Sequence, residues 1–316
     1  MSEHEIELLQ IGSRALKKAA LNEQAKNYLL SNDKLFKIFK KAANRYIGGE
    51  ILTEAVETIK RQNAAGQKCT VDFMGESVRD EAEANRVTNE FMEICETIHS
   101  NNLDSTISLD LSHIGLTVDL DLAKHNISKI CQAASKSKKE VIISAEGVDR
   151  TDAVIAVYKH VSSKYDRVGI TLQAYLYRTK DDLADVIKLP GKIRIVKGAF
   201  ATPPGHSMER GPELDSVYLR YVQELLAKGH LCSIATHDER IQSEIKGFFA
   251  KQNSSIPNYE FESLLGIGMD LLDTLKEQGH PTRVYVVYGK EWYLYVCNRI
   301  AEYPLNLFRF VNDMVN

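Results

Sequence analysis

Arg194-Ile195-Val196-Lys197-Gly198-Ala199-Phe200 reads as a short buried strand that ends on a cation and then on small residues. The β-branched pair Ile195-Val196 suits a pleated, buried surface. Lys197 follows at the strand's carboxyl end, where burying an unpaired ammonium would be costly. Gly198 and Ala199 remove side-chain bulk, which lets a ligand approach the backbone closely. A cation beside bare N–H groups suits an anion such as a phosphate. A lysine that only snorkels to water is the competing reading. The rest of the chain decides, because it fixes where this strand ends.

Outward from this segment the same signature repeats. Cys69-Thr70-Val71-Asp72-Phe73 predicts a first strand, with a helix over 77–99 after it. Thr106-Ile107-Ser108-Leu109-Asp110-Leu111 predicts a second, with a helix over 120–134. Strands over 141–145 and 168–174 follow, with helices over 152–162 and 180–187. The quoted segment is the fifth strand, and its helix covers 213–228. Strands over 231–236, 259–262 and 283–287 complete the set, with helices over 239–250, 269–278 and 291–302. Eight strand–helix pairs in series, hydrophobic enough for burial on both faces, specify a parallel sheet. Eight is also the number that closes a (β/α)8 barrel, which takes ~250 residues. An open doubly wound sheet would advertise a phosphate loop such as GxGxxG after its first strand, and Asp72-Phe73-Met74-Gly75-Glu76 is not one. The expected fold is α/β, a TIM-type (β/α)8 barrel over 68–316 with an N-terminal helical extension over 1–67.

In that extension, residues 5–65 read as helix. Ile6, Leu8, Leu9, Ile11 and Leu16 open the run, and Leu35, Phe36, Ile38, Phe39 and Ala43 continue it at helical spacing. Gly48-Gly49 breaks the run and Gly66 ends it. The 316 residues are 44% hydrophobic and 26% charged, with a net charge of −3 and a pI near 6.3. That is ordinary globular composition. There is no basic run of the kind that grips nucleic acid and no acidic tail. The five cysteines (Cys69, Cys95, Cys131, Cys232, Cys297) are dispersed, which points to reduced thiols in a cytoplasmic protein and away from disulfides or a metal site. The opening MSEHEIELLQ lacks the apolar core of a signal peptide, and no apolar run approaches the ~20 residues of a membrane span. Peripheral contact with the inner face of a membrane stays open for the N-terminal helices.

Active sites of such barrels lie at the carboxyl ends of the strands. Those ends read Asp72, Asp110, Ser144, Gln173, Lys197, Thr236 with His237, Glu262 and Tyr285. Thr236 and Ser144 would each serve as a helix cap, but a polar group on every strand exceeds what capping needs. The mouth is therefore expected to bind a polar ligand. Gln173 offers the donor and acceptor that read a uracil-like ring edge. Lys197-Gly198-Ala199 suits a pyrophosphate, and Thr236-His237-Asp238 suits phosphate or ribose oxygens. Arg194 is either part of this set or an outer salt-bridge partner. A large cofactor with a heteroaromatic ring and a diphosphate would use all of them.

These residues resemble the proline dehydrogenase family, FAD-dependent (β/α)8 enzymes, over roughly 69–316. The resemblance rests on Asp72-Phe73-Met74-Gly75-Glu76, Gln173-Ala174-Tyr175-Leu176, the quoted segment, Ile234-Ala235-Thr236-His237, Tyr259-Glu260-Phe261 with Leu264 and Gly266, Arg283-Val284-Tyr285 with Tyr288-Gly289, and Trp292 through Arg299-Ile300-Ala301-Glu302. It implies FAD as cofactor and no metal. Gln173 would contact the isoalloxazine ring. Arg194 would sit near flavin N5, where a cation stabilises charge on the reduced ring. Lys197, Gly198 and Ala199 would hold the pyrophosphate, and Thr236 and His237 the ribityl or adenosine portion. Glu262, Arg299 and Glu302 would also lie with the cofactor, while Tyr285 and Leu264 would line the substrate pocket. Arg194, Tyr285 and Arg299 form the implied catalytic set. The implied reaction moves a hydride from the carbon beside an amine nitrogen to flavin N5. It leaves an imine that hydrolyses, and the electrons pass on to a quinone or to oxygen.

The departures fall where the family grips its substrate carboxylate, with a lysine after the second strand and two consecutive arginines on the last helix. Here those positions read Asp110 and Asn298-Arg299. Ser144 stands for an aspartate, Phe200 for the usual tyrosine and Glu262 for the usual glutamine. A carboxylate within ~4 Å of Asp110 would be repelled by ~4 kcal/mol at an intermediate dielectric. That exceeds what one bidentate contact to Arg299 comfortably offsets. The expectation is a dehydrogenase of a small amine or imino acid other than free L-proline: one that lacks the carboxylate, masks it, or bears a second cation. Genuine L-proline oxidation, with Asp110 paired to Arg299 or a lysine, is the alternative. Two other classes are a Schiff-base enzyme built on Lys197 and a non-catalytic flavin-binding protein.

Overall fold

The computed structural model describes residues 3–75, 77–251, 257–302 and 306–315, so Glu76 of the first-strand motif lies outside the described residues. Eight parallel strands close into one barrel in chain order. They are β1 (Lys68–Phe73), β2 (Ser105–Leu109), β3 (Val141–Ile143), β4 (Val168–Gln173), β5 (Ile193–Val196), β6 (Cys232–Ala235), β7 (Tyr259–Leu264) and β8 (Thr282–Tyr288). β1 pairs with β8, Thr70 opposite Tyr285, and this shuts the ring. Four helices precede the barrel: α1 (Glu3–Ala20), α2 (Glu23–Ser31), α3 (Asp33–Ala43) and α4 (Leu52–Ala64). After β1 to β7 come α5 (Glu81–Ser100), α6 (Leu120–Lys136), α7 (Thr151–Ser162), α8 (Thr179–Val186), α9 (Pro212–Ala227), α10 (Glu239–Ala250) and α11 (Met269–Glu277). After β8 come α12 (Trp292–Glu302) and α13 (Asn306–Val315). No helix among the described residues is long and apolar enough to cross a membrane.

The helical run expected over 5–65, broken at Gly48-Gly49, is four helices, because asparagines also punctuate the part before that break. Asn22 accepts from the Ala25 N–H at 3.0 Å and Asn32 from the Leu35 N–H at 3.1 Å. Each is an N-cap that starts a new helix. The Gly48 N–H then donates to the Val287 carbonyl at 2.7 Å and ties the chain to the barrel. α4 packs on β1 and β8, the place that a helix following β8 fills in a regular barrel. α12 instead packs against α1 and α3. It belongs to a second apolar cluster with Tyr46, Val287 and Trp292, and Leu264 and Tyr285 pack at its edge. α12, the last helix expected from the sequence, therefore lies over the ends of β7 and β8.

Strand alternation sorts the side chains. Val71, Ile107, Ile170, Ile195, Ile234, Phe261 and Val284 join the main core beneath the helices. The inward rows are polar, which corrects the expectation of strands apolar on both faces. Thr70, Ser108, Thr171, Arg194, Ser233 and Glu262 are all buried inside the barrel. Nearer the amino ends, Arg283 donates to Glu260 at 2.8 and 3.0 Å. Lys192 reaches Glu260 at 2.7 Å and Glu140 at 2.6 Å. Burial pushes the Glu260 carboxyl up, but Arg283 and Lys192 outweigh it and hold the group at about 2.

Candidate active site at the barrel mouth

The mouth stands on the Arg194–Glu262 pair. Arg194 Nε donates to Glu262 Oε2 at 2.8 Å and Nη2 to Oε1 at 3.1 Å. Nη1 donates to Ser108 Oγ at 3.1 Å and Thr171 Oγ1 at 3.3 Å, and Nη2 also to Thr70 Oγ1 at 3.5 Å. All five N–H groups of the guanidinium are thus committed to protein acceptors. Glu262 accepts further from Thr70 at 2.7 Å and Ser233 at 2.5 Å. Burial alone would raise its carboxyl, yet Arg194 and then Arg283 hold it below the ordinary range. The Tyr285 ring covers one face of Arg194, with the guanidinium carbon 5.0 Å from the ring centroid.

Two expectations change here. Arg194 is not an outer salt-bridge partner; it is a buried positive charge inside the barrel. Glu262 does not open onto the mouth; four hydrogen bonds saturate it inside the barrel.

One step along the strands, carboxylates gather. Asp72 Oδ2 accepts from the Tyr285 hydroxyl at 2.5 Å. Burial raises Asp72 to about 6, against the pull of that bond and of Arg194. Asp110, just past β2, lines a cavity of about 590 Å³ together with Ser112, Glu146, Arg150, Phe200 and Leu294. Burial, then Asp72 and Glu146, push its carboxyl well above the ordinary range, while a hydrogen bond from Ser144 opposes them. Ser144 Oγ in turn lies 3.1 Å from Ser108 Oγ. Glu146 accepts from the Ser112 N–H at 2.9 Å and from Arg150 at 3.0 Å. Gln173 is buried, and its Nε2 donates to the Glu146 carbonyl at 2.9 Å.

Lys197 reaches the mouth but is not bare. Its ammonium lies 2.6 Å from Asp215 and 2.9 Å from Asp238, and Arg240 stands 3.4 and 3.7 Å from the same two carboxylates. A Schiff-base lysine needs a desolvated amine free of such partners, and Lys197 is held between two carboxylates instead. Gly198 has a φ of +115°, and a Cβ there would meet the Tyr175 ring at 2.1 Å. Tyr175 and the backbone conformation by themselves demand the lack of a side chain there. Thr236 Oγ1 accepts from the Asp238 N–H at 3.1 Å, while the helix cap expected of it falls to Asp238, whose side chain accepts from the Arg240 N–H at 3.1 Å. His237, Ala199 and Phe200 are exposed on the rim.

On the last helix, Arg299 pairs with Glu302 at 2.7 Å, and its guanidinium lies 5.2 Å from the Tyr295 ring centroid. Asp110 and Arg299 therefore have other partners, and the pairing between them that would spare a substrate carboxylate is not formed. Asn298 and Leu264 are half-buried nearby. Tyr295 Oη and Arg299 Nε are buried without a protein partner. Sequence reasoning missed Ser108, Glu146 and Tyr295. Ser108 was accessible through alternation, two residues before Asp110, and Tyr295 through helical spacing, four before Arg299. Glu146 follows the third strand in a loop and gave no periodic signal.

A closed parallel barrel whose mouth gathers carboxylates, guanidinium groups and orphaned polar atoms defines a small-molecule enzyme of the (β/α)8 class. The chain belongs to the proline dehydrogenase family, whose model matches residues 55–295. It is 34% identical over 266 residues to proline dehydrogenase 2 of Bacillus subtilis (strain 168), covering 84% of this chain and 88% of that one. It is 30% identical over 278 residues to the proline dehydrogenase of Deinococcus radiodurans, covering 86% and 90%. Its fold resembles that of proline utilization A from Bdellovibrio bacteriovorus, with a TM-score of 0.77 at 17% identity, over 94% of this chain and 41% of that longer one. The chain is a flavin-dependent oxidoreductase acting on an amine or imino acid.

Proposed function

We propose that this protein binds FAD at the barrel mouth and takes a hydride from the carbon beside the nitrogen of a small secondary amine or imino acid other than free L-proline. The observation that carries the substrate half is Asp110, a carboxyl on the cavity wall with no cation paired to it, which burial, Asp72 and Glu146 hold toward its neutral form until a cation arrives. The residues present suit the cofactor. Tyr295 Oη and Arg299 Nε are buried and unpartnered, and buried polar groups of native proteins find partners. Gln173, Arg299 and Glu302 would hold the ring, Lys197 and Ala199 the diphosphate, and Thr236 with His237 the sugar portion. When bound, the flavin supplies the two-electron acceptor.

The chain's own residues do the rest. Hydride leaves only from the unprotonated amine, so a base must take its proton. Tyr285 and Asp72 form that route, from the hydroxyl to Oδ2 across 2.5 Å, and Asp72 near 6 is ionised and ready at neutral pH. The buried charge of Arg194 favours electron density arriving above it, tempered by Glu262. The imine then hydrolyses, and a quinone is the proposed final acceptor. Anaerobic mixing of the FAD-loaded protein with pyrrolidine and with L-proline tests this. Bleaching of the flavin by pyrrolidine, faster than by proline, is expected. A protein that takes up no FAD overturns the whole reading, and bleaching fastest with proline overturns its substrate half.

L-proline as the substrate is the second reading, favoured by the names of the Bacillus and Deinococcus relatives. The double variant Asp110→Lys with Asn298→Arg separates the two. It improves proline oxidation under the first reading and not under the second.

A further inference from the structure

We propose that Asp110 is a built cation subsite, and that the substrate carries a second positively charged nitrogen, apart from the amine that is oxidised. The inference rests on the dehydrogenase reading above and names its substrate class.

A directed hydrogen-bond chain prepares the carboxylate. When a cation draws the proton from Asp110, the ionised carboxylate only accepts, so the single hydroxyl proton of Ser144 then goes to Asp110. In that state Ser144 has none left for Ser108, so across their 3.1 Å contact, where either hydroxyl can donate, Ser108 becomes the donor. Ser108 Oγ in turn accepts from Arg194 Nη1 at 3.1 Å, and a guanidinium has donors only. The chain runs one way, from a buried cation through two hydroxyls to Asp110, and each bond polarises the next. Three strands contribute to it, β5, β2 and the end of β3.

Asp110 and Asp72 are the mouth carboxylates that stand in no ion pair among the described residues, and only Asp110 lines the cavity. Glu146 has Arg150, Glu302 has Arg299, and Asp215 and Asp238 share Lys197. Asp72 has the Tyr285 hydroxyl and feels Arg194. Arg150, the cation nearest in effect to Asp110, is already bonded to Glu146 at 3.0 Å. The protein supplies Asp110 one donor, from Ser144, where a carboxylate has room for about four. The cavity of about 590 Å³ onto which Asp110 opens has ample room for a small heterocycle with a substituent. The reacting nitrogen gives its proton to the Tyr285–Asp72 route before hydride leaves, so its charge does not stay to balance Asp110 through the reaction. A second ammonium does, and its arrival relieves the burial and the repulsion from Asp72 and Glu146 that Asp110 carries when alone.

The test uses the FAD-loaded protein under anaerobic conditions with three probes: pyrrolidine, 2-(aminomethyl)pyrrolidine and L-proline. The diamine is expected to half-saturate flavin bleaching at a concentration about tenfold or more below pyrrolidine, with L-proline the weakest. Asp110→Asn is expected to erase the difference between the two amines. Ser144→Ala, a milder change that removes only the donor, is expected to shrink it several-fold. Retention of the difference in Asp110→Asn overturns the proposal, as does a wild-type protein that binds the diamine no better than pyrrolidine. An equal loss of both amines in Asp110→Asn also overturns it, because Asp110 would then act on the reacting nitrogen. If no probe bleaches the flavin, the dehydrogenase reading fails by itself. Calorimetry still decides the subsite, because diamine binding accompanied by proton release in the wild type and not in Asp110→Asn supports it, and no Asp110-dependent binding sinks it.

Discussion

The barrel interior and the barrel mouth are built on the same strands, two residues apart, yet they treat charge oppositely. In the interior, Arg283, Lys192 and Glu260 form one closed set, and Arg194 and Glu262 form another in which every donor is matched. At the mouth, Asp110 lacks a cation and Tyr295 Oη and Arg299 Nε lack any protein partner. Polar groups that are both buried and saturated hold a fold in register. Polar groups left buried and unsatisfied are a cost that a ligand can remove. The interior is thus a scaffold and the mouth a reader, although both are equally charged.

The largest expected effect comes from breaking the interior. Glu260→Gln leaves Arg283 and Lys192 buried without their shared carboxylate, and unpairing such a charge costs about 3–5 kcal/mol. Urea denaturation of the FAD-free protein measures it, and a loss below about 1 kcal/mol would put this network in the class of surface ion pairs. The pH dependence has a definite sign. Glu260 lies at about 2 in the fold against an ordinary 4.5, so its stabilisation is complete above about pH 4.5 and fades as pH falls toward 2. The variant should lose that acid limb.

This contrast was only half legible in the sequence. The strands were legible because β-branched runs such as Ile195-Val196 and Ile142-Ile143 sit between helical periods, and the count of eight then implied closure. The interior polarity was visible in principle, since Thr70, Ser108, Thr171 and Arg194 alternate with apolar residues. It was concealed because a polar residue in a strand reads first as a solvent face. Partner choice was beyond reach: Arg194 meets Thr70, Ser108 and Glu262 only after the barrel closes. The same holds for Lys197, whose two carboxylates come from the starts of α9 and α10, and for Gly198, whose constraint is the Tyr175 ring. Asp110 and Asn298 were legible as departures from a family pattern. That Asp110 ends a donor chain was not.

A smaller effect, opposite in sign, is expected one layer up. Asp72 is raised to about 6 from an ordinary 3.8, so its burial favours the fold fully below about pH 3.8 and stops doing so as pH climbs through 6. Asp72→Asn keeps an acceptor for the Tyr285 hydroxyl and removes the charge. The ligand-free variant should match the wild type near pH 3 and exceed it by about 3 kcal/mol near pH 8. Its flavin should be reduced more slowly by amines, because the proton acceptor is gone. Thermal melts across pH check the first statement and anaerobic stopped-flow the second. A variant less stable than wild type near pH 8 would place Asp72 with the interior scaffold.

The smallest effect discriminates best, because the two regions predict different signs for it. Tyr295→Phe deletes a buried hydroxyl that has no protein partner and keeps the ring that Arg299 covers at 5.2 Å. If the mouth is a reader, the FAD-free protein loses nothing and gains up to about 1 kcal/mol, since an unmade buried hydrogen bond costs about that much. The FAD-loaded protein should move the other way, because the deleted hydroxyl is then a bonded one, and FAD or substrate affinity should fall by about tenfold. Melts with and without FAD, together with a titration of each ligand, give both signs in one variant. Equal destabilisation of the two forms would mean that Tyr295 supports the fold as Arg194 and Glu262 do. The boundary between scaffold and reader would then run along the cavity wall at Asp110, with the last helix on the scaffold side.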